Sequence, residues 1–306
     1  MHPIICITIT CLLLTSSFLA AGEEHCGNEG VWIQILGSGG PELDDGRASA
    51  SYAVWIEGKA RLLVDTGSGS AVAFDLAGAR IEDLDAIVYT HLHADHASDF
   101  PSFVAGAHFA ERRRVLPILG PAGNDVMPST SEFVDTMIGP HGAFRYLQEF
   151  LTYSTSDGFK INARDVPSTG QRRWARFATP NLRLSAMPVH HGDVPALAWR
   201  VDVGAQSITF SGDFSNQKNT LVKLAQGSDA LVAHHAILET TRGEGRALYA
   251  RPSQIGRIAH DAGVRMLLLG HRTMQTRGRE SLTVAAIEAH YDGPVLFADD
   301  LDCWGL

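Results

Sequence analysis

Thr90-His91-Leu92-His93-Ala94-Asp95-His96 packs four potential metal ligands, His91, His93, Asp95 and His96, into six positions directly after the apolar stretch DAIVYT (85–90). His91 and His93 share one side of an extended turn, while Asp95 and His96 enter the helix that follows. Two imidazoles can then face one ion while an Asp–His pair faces a second. Imidazole nitrogen and carboxylate oxygen both suit zinc, and a catalytic zinc keeps one position open for water. Three more candidates stand at the ends of apolar stretches: His190-His191 after SAMPV, Asp213 after SITFSG, and His271 after MLLLG. A strand-end His or Asp taken singly is most often a solvated turn residue. Their recurrence at three strand ends downstream of an HxHxDH run makes a set. No G-x-S-x-G elbow accompanies them, so no serine nucleophile is signalled.

The elements that must carry these residues begin with VWIQIL (31–36), then SYAVWIE (51–57) and ARLLVD (60–65), the last two joined at Gly58-Lys59 as a hairpin. Residues 70–79 and 97–110 read as helical, VLPILG (115–120) as a strand, and 130–150 as an amphipathic helix. NLRLSAMPV (181–189), LAWRVDV (197–203), SITFSG (207–212), LVA (231–233) and MLLLG (266–270) are further strands, the last two each preceded by a helical segment. A meander that gives way to strands alternating with helices predicts two packed sheets with helices outside. Gly37–Gly40 is followed by a hairpin, whereas a dinucleotide fingerprint needs a helix there. Residues 121–182 carry no recognisable motif and are expected to form a cap or substrate-facing insertion.

The chain has 306 residues, 45% hydrophobic and 19% charged, with a formal charge of −9. That balance suits a large buried core and predicts no general nucleic-acid binding, whose affinity comes from neutralised phosphates. The clusters Arg112-Arg113-Arg114 and Arg172-Arg173 with Arg176 are read as solvated faces. Ile4 to Leu19 is apolar and leads into Ala20-Ala21-Gly22. This predicts a signal peptide over 1–22, a domain over 23–306 and a periplasmic or secreted protein, with no stable membrane insertion after cleavage. An uncleaved anchor is the competing reading, since Met-His-Pro at the start supplies no Lys or Arg. Of four cysteines, Cys26 and Cys303 would remain, and an oxidising compartment would let them pair. An oligomer stays open.

The chain resembles the metallo-β-lactamase superfamily, and within it the branch holding ribonuclease Z and the zinc-dependent arylsulfatases. The resemblance runs through LGSGGP, RASASYAVWIEGKARLLVDTGSG, THLHADH, VHHGDVPALAWRVD, FSGDFS and LLLGH. It implies an α+β four-layer αββα sandwich and two Zn2+ ions. His91, His93 and His191 would hold the first ion, Asp95, His96 and His271 the second, and Asp213 would bridge them. Asp65 would position the ligand loop from behind. Where ribonuclease Z has His-Glu-Ala-Thr, this chain has His234-His235-Ala236-Ile237, which makes His235 the expected proton donor or substrate contact. Where ribonuclease Z has a further His, this chain has Arg251-Pro252-Ser253.

The catalytic set expected is Asp95, Asp213 and His235, acting with a metal-bound hydroxide on a small-molecule ester. The two departures and the export signal point to an arylsulfatase- or phosphodiesterase-like hydrolase. A lactonase or β-lactamase, a ribonuclease Z-like nuclease and a non-catalytic metal-binding protein are the alternatives, and a di-iron oxidoreductase is a further one on this fold.

Overall fold

β1 (Val31–Gly37), β2 (Ser51–Ile56) and β3 (Lys59–Val64) form an antiparallel meander in the computed structural model, which describes residues 26–152 and 159–306. The expected signal peptide lies outside the described residues. In β2, Tyr52, Val54 and Ile56 enter one core while Ala53 and Trp55 enter another, as a period of two requires. A strand buried on both faces must have a layer on each side. The β2–β3 turn is Glu57-Gly58 rather than Gly58-Lys59, with φ of 49° and 69°. Two consecutive left-handed residues match the twist of a two-residue hairpin, and glycine takes the second without steric cost.

β4 (Ala86–Val88), β5 (Leu116–Pro121) and β6 (Ile161–Val166) continue this sheet in parallel beyond β3. The second sheet runs antiparallel through β7 (Trp174–Ala178), β8 (Arg183–His191), β9 (Val194–Val203) and β10 (Gln206–Phe210). It then turns parallel through β11 (Ala230–His234), β12 (Met266–Gly270) and β13 (Val295–Phe297). β14 (Cys303–Gly305) returns to the first sheet beside β1, giving two seven-stranded sheets. Segment 121–182 thus supplies one of the two edge strands of each sheet, β6 and β7. The disulfide Cys26–Cys303, with Cα atoms 5.7 Å apart, ties residues separated by 277 positions.

The central core lies between the sheets and includes Ile33, Val64, Trp199, Phe210 and Leu268. The outer face of the first sheet packs on α1 (Ser70–Leu76), α2 (Ala94–Ala97), α3 (Phe100–Gly106) and α4 (Thr130–Ile138), chiefly through Phe74, Phe100, Phe103 and Ile138. The second sheet is covered by α5 (Leu221–Ala225), α7 (Pro252–Asp261) and α8 (Glu280–Glu288), while α6 (Glu244–Leu248) buries no residue. The result is the four-layer αββα sandwich. Among the described residues no helix is long and apolar enough to cross a membrane.

Two local expectations need correction. The helix expected over 130–150 stops at Ile138, because Gly139-Pro140 follows and proline cannot continue it; a 3-10 turn covers Arg145–Leu151. Its start is set by a capping box between Ser129 and Glu132. Arg112 is not part of a solvated face. Its guanidinium is buried and donates to the carbonyls of Ile81, Leu84, Arg114 and Val115. Arg114 remains exposed while its guanidinium pairs with the buried Asp85 at 2.7 Å.

Candidate metal centre

All of the strand-end ligands converge on one edge of the sandwich, because β4, β8, β10 and β12 end there. After β4, His93 is the N-cap of α2 in extended conformation (φ −63°, ψ 156°), which leaves His91 and His93 ahead of the helix and Asp95 and His96 in its first turn. His191 ends β8, Asp213 follows β10, and His271 follows β12 with φ 52°. Gly212 has φ +57°, and a Cβ there would lie 2.6 Å from the Cβ of Thr90. Only glycine lets the Asp213 loop sit against the His91 loop.

The donor atoms form two groups that share Asp213. Those of His91, His93, His191 and Asp213 lie within 4.8 Å of one another, and so do those of His96, Asp213, His234 and His271. Asp213 Oδ2 faces the first group, 3.5 Å from His191 Nε2 and 3.8 Å from His91 Nε2. Its Oδ1 faces the second, 3.5 Å from His271 Nε2 and 3.8 Å from His96 Nε2. Asp95 joins that second group through His271 Nε2 at 3.1 Å and His96 Nε2 at 3.6 Å.

The histidines are aimed from behind. Asp65, itself at φ 60°, accepts from Thr90 N and from Thr90 Oγ1 at 2.7 Å and meets His96 Nδ1 at 2.8 Å. His191 Nδ1 donates to the carbonyl of Leu248 at 3.1 Å. Each contact uses one ring nitrogen and turns the other inward, the arrangement that orients metal-bound histidines. The neighbour His190 instead meets Ser215 Oγ at 2.8 Å.

Charge tells the same story. Burial opposes ionisation of both carboxylates, yet the bond from His271 and the charge of His96 hold Asp95 at about 2. Asp213 is likewise kept well below the carboxylate range despite its burial, by His271, His96 and His234. Burial also opposes a charge on His96, but Asp65 and Asp213 outweigh it and push it to about 9. Burial wins at His91, and at His93 to a lesser degree, lowering both.

The donor set fits divalent cations. His96 Nε2, His191 Nε2 and Asp213 Oδ2 are buried without a hydrogen-bond partner. Buried polar atoms are nearly always satisfied, and orphans converging from three elements are groups that an ion there would satisfy. Imidazole and carboxylate are the ligands zinc takes.

His234 stands where His235 was expected. Along β11, Ala230 and Val232 face the central core while Leu231 and Ala233 face the helices. His234 continues the inner set and reaches Asp213 Oδ1 at 2.7 Å and Tyr52 Oη at 3.0 Å. His235, one position on, points to the outer layer, where its Nε2 meets Thr283 Oγ1 at 3.1 Å and its ring lies 6.3 Å from that of Phe297. Burial, then the charge of Arg272, lowers His235 to about 4. The strand's parity carries the signal that would have found His234.

Tyr249, just after α6, is a second residue that the sequence did not single out. Its half-buried ring lies 5.4 Å from that of His191 and 5.9 Å from that of His271, so it spans both donor groups. Burial, then the Asp213 and Asp95 carboxylates that its phenol faces, raises its pKa well above the ordinary phenol value.

Comparison with known proteins gives this centre its context. The family described as the metallo-beta-lactamase superfamily matches residues 44–252. The ribonuclease Z of Mycolicibacterium gilvum is 26% identical over 293 residues, covering 89% of this chain and 94% of its own length. Among solved structures, the short form of human tRNase Z superposes with a TM-score of 0.70 at 17% identity, covering 90% of this chain and 98% of its own. The Bacillus subtilis metallo-beta-lactamase fold protein YhfI gives 0.69 at 20% identity, again covering 90% and 98%. These two share the fold. The ribonuclease relatives overturn the expectation of a small-molecule ester substrate with nucleic acid excluded. The physical reason is that net charge sums over the whole surface, whereas a strand of phosphates needs cations only along its path.

Proposed function

The chain belongs to the metallo-β-lactamase superfamily of metal-dependent hydrolases, and from that membership we propose that it hydrolyses phosphodiester bonds in RNA as a ribonuclease Z-like enzyme with two Zn2+ ions. The observation that carries this reading is the placement of Asp213, whose two oxygens face two separate donor groups. His91, His93 and His191 would hold one ion, Asp95, His96 and His271 the other, with Asp213 between them. Paired divalent ions supply Lewis acidity to a phosphoryl oxygen and acidify water towards neutrality.

The chain's own residues set up the reaction in three ways. Asp65 and the Leu248 carbonyl fix the rings of His96 and His191. His234 fixes Asp213: the carboxylate only accepts, so His234 Nδ1 donates to it and Nε2 accepts from the Tyr52 hydroxyl. Tyr249 keeps its proton at neutral pH and offers a hydroxyl donor to an oxygen of the scissile phosphate. Asn124–Val126, Ser168 and Thr169 line a cavity of about 380 Å³ with the β8–β9 hairpin, which supports a substrate-facing role for part of 121–182. The Cys26–Cys303 disulfide and the apolar run at 4–19 support export to an oxidising compartment.

The test is turnover of the zinc-loaded protein on a structured RNA and on bis(p-nitrophenyl) phosphate. Both should be cleaved, and a chelator should stop both. An intact RNA after prolonged incubation with metal-loaded enzyme would refute the ribonuclease reading.

A further inference from the structure

On either side of Tyr249 in the chain, Glu239, Thr240, Thr241, Arg242, Arg246 and Arg251 line a cavity of about 470 Å³. We propose that this cavity is an anion subsite that takes a backbone phosphate of an RNA strand whose neighbouring linkage lies at the metal centre; it rests on the phosphodiesterase reading above.

Three guanidinium groups face a space that holds a single carboxylate, Glu239. That carboxylate is already engaged, accepting from Ser253 N at 2.9 Å and Ser253 Oγ at 2.8 Å, while Arg251 Nη1 stands 3.9 Å away. Arg251 Nε is buried and has no hydrogen-bond partner. Arg242 and Arg246 are exposed, and among the described residues neither guanidinium has a hydrogen bond or ion pair. Arg242 and Arg246, which pair with no carboxylate among the described residues, stand with Arg251 around a polar hollow with two threonine hydroxyls, and their five-donor forks match phosphate oxygens.

The cavity is coupled to the centre by the chain itself. Arg246 lies in α6, three residues before Tyr249, and Arg251 lies two residues after it. Leu248, at the end of the same helix, accepts the hydrogen bond that aims His191, and Tyr249 packs on His191 and His271. A strand laid across Tyr249 would therefore have one phosphate at the metal centre and the next among the arginines.

The test is binding of a short single-stranded phosphorothioate RNA, followed by fluorescence anisotropy as a function of salt, to the metal-loaded wild type and to Arg242→Ala/Arg246→Ala. Each phosphate neutralised on a single strand contributes about 0.7 to the slope of log affinity against log salt. The double variant should therefore lose about 0.7 from that slope, for the one phosphate seated there, and bind about fivefold more weakly at roughly 0.1 M salt. Arg242→Lys/Arg246→Lys should restore the slope, which follows charge, but only part of the affinity, because lysine lacks the bidentate fork. Both variants should melt with the wild type. An unchanged slope and affinity in the alanine variant overturns the subsite. A wild type that binds with the arginine-dependent slope but cuts no RNA upholds the subsite and sinks the ribonuclease reading instead. Hydrolysis of bis(p-nitrophenyl) phosphate, which has no second phosphate, should be unaffected by either variant; a parallel loss there would show that the arginines act on the centre and not on the strand.

Discussion

Asp213 and His234 share a 2.7 Å hydrogen bond between Oδ1 and Nδ1, and His234 is locked in turn by Tyr52 at 3.0 Å. The carboxylate that both donor groups share is thus held by a histidine with no free nitrogen for an ion. Residues that hold a ligand from behind typically contribute 10–100-fold to metal affinity or activity. His234→Ala should lower turnover by about that factor and weaken metal retention during dialysis. Tyr52→Phe should have a smaller effect in the same direction. Undiminished turnover in His234→Ala would remove it from the supporting shell.

Asp213→Asn should be far more damaging than His234→Ala. The amide carries no charge to offset the repulsion between two cations. Metal analysis of purified protein should give close to two zinc ions per chain for the wild type and a deficit for the variant, with nearly all turnover lost. His93→Ala should lose activity in parallel. A variant Asp213→Asn with full metal content and normal rate would contradict the shared position of its two oxygens.

His235→Ala should show the opposite profile. Its ring is buried against Thr283 and Phe297, away from the donor groups. The substitution leaves the Thr283 hydroxyl short of a partner and should cost about 1–3 kcal/mol of stability. Thermal melting reads that loss directly, while kcat at a temperature where the variant is folded should stay near wild type. A large fall in kcat without a change in melting would return His235 to the reaction.

Tyr249→Phe separates a donor from a packing group. The ring contacts to His191 and His271 persist in the variant, and only the hydroxyl goes. Loss of a hydrogen-bond donor aimed at developing charge can cost about 10²–10³ in kcat. The expected result is a fall in kcat towards that range with both ions retained and KM little changed. Equal kcat for tyrosine and phenylalanine would leave Tyr249 with packing alone.

The Cys26–Cys303 disulfide should be found by non-reducing peptide mapping of exported protein. In the chain-entropy account a closed loop of this length stabilises by about 5.6 kcal/mol, and disulfides typically deliver about 2–4 kcal/mol. Cys303→Ser should therefore lower the melting temperature clearly while leaving metal content intact. Free thiols at both positions in exported protein would show that the two ends are not bridged.

The candidate metal ligands were legible because short spacing and strand ends are local properties. HxHxDH needs no knowledge of the fold, and His191, Asp213 and His271 each close an apolar run. What decides between His234 and His235 is which face of β11 meets the other sheet, and that depends on the packing of both layers. Tyr249 was invisible for a related reason. It sits after a helix with no buried residue, and only the fold brings that helix over His191. The short strands β13 and β14 lack the length for alternation to register. Arg112 read as surface because a run of arginines usually is, whereas four backbone carbonyls satisfy it inside.

Each donor group draws from both halves of the sandwich. His91, His93, Asp95 and His96 follow β4 in the first sheet, while His191, Asp213 and His271 come from the second. Ions bound there would act as rivets between the sheets, and opening the sandwich would release them. Free metal at a hundred times its dissociation constant adds about 2.7 kcal/mol per site to the folded state. Melting temperature should then climb with zinc concentration, well beyond stoichiometric loading. In a zinc-poor environment the same chain would open more often and fall sooner to proteases, so that metal supply would govern how long the enzyme lasts as well as whether it works.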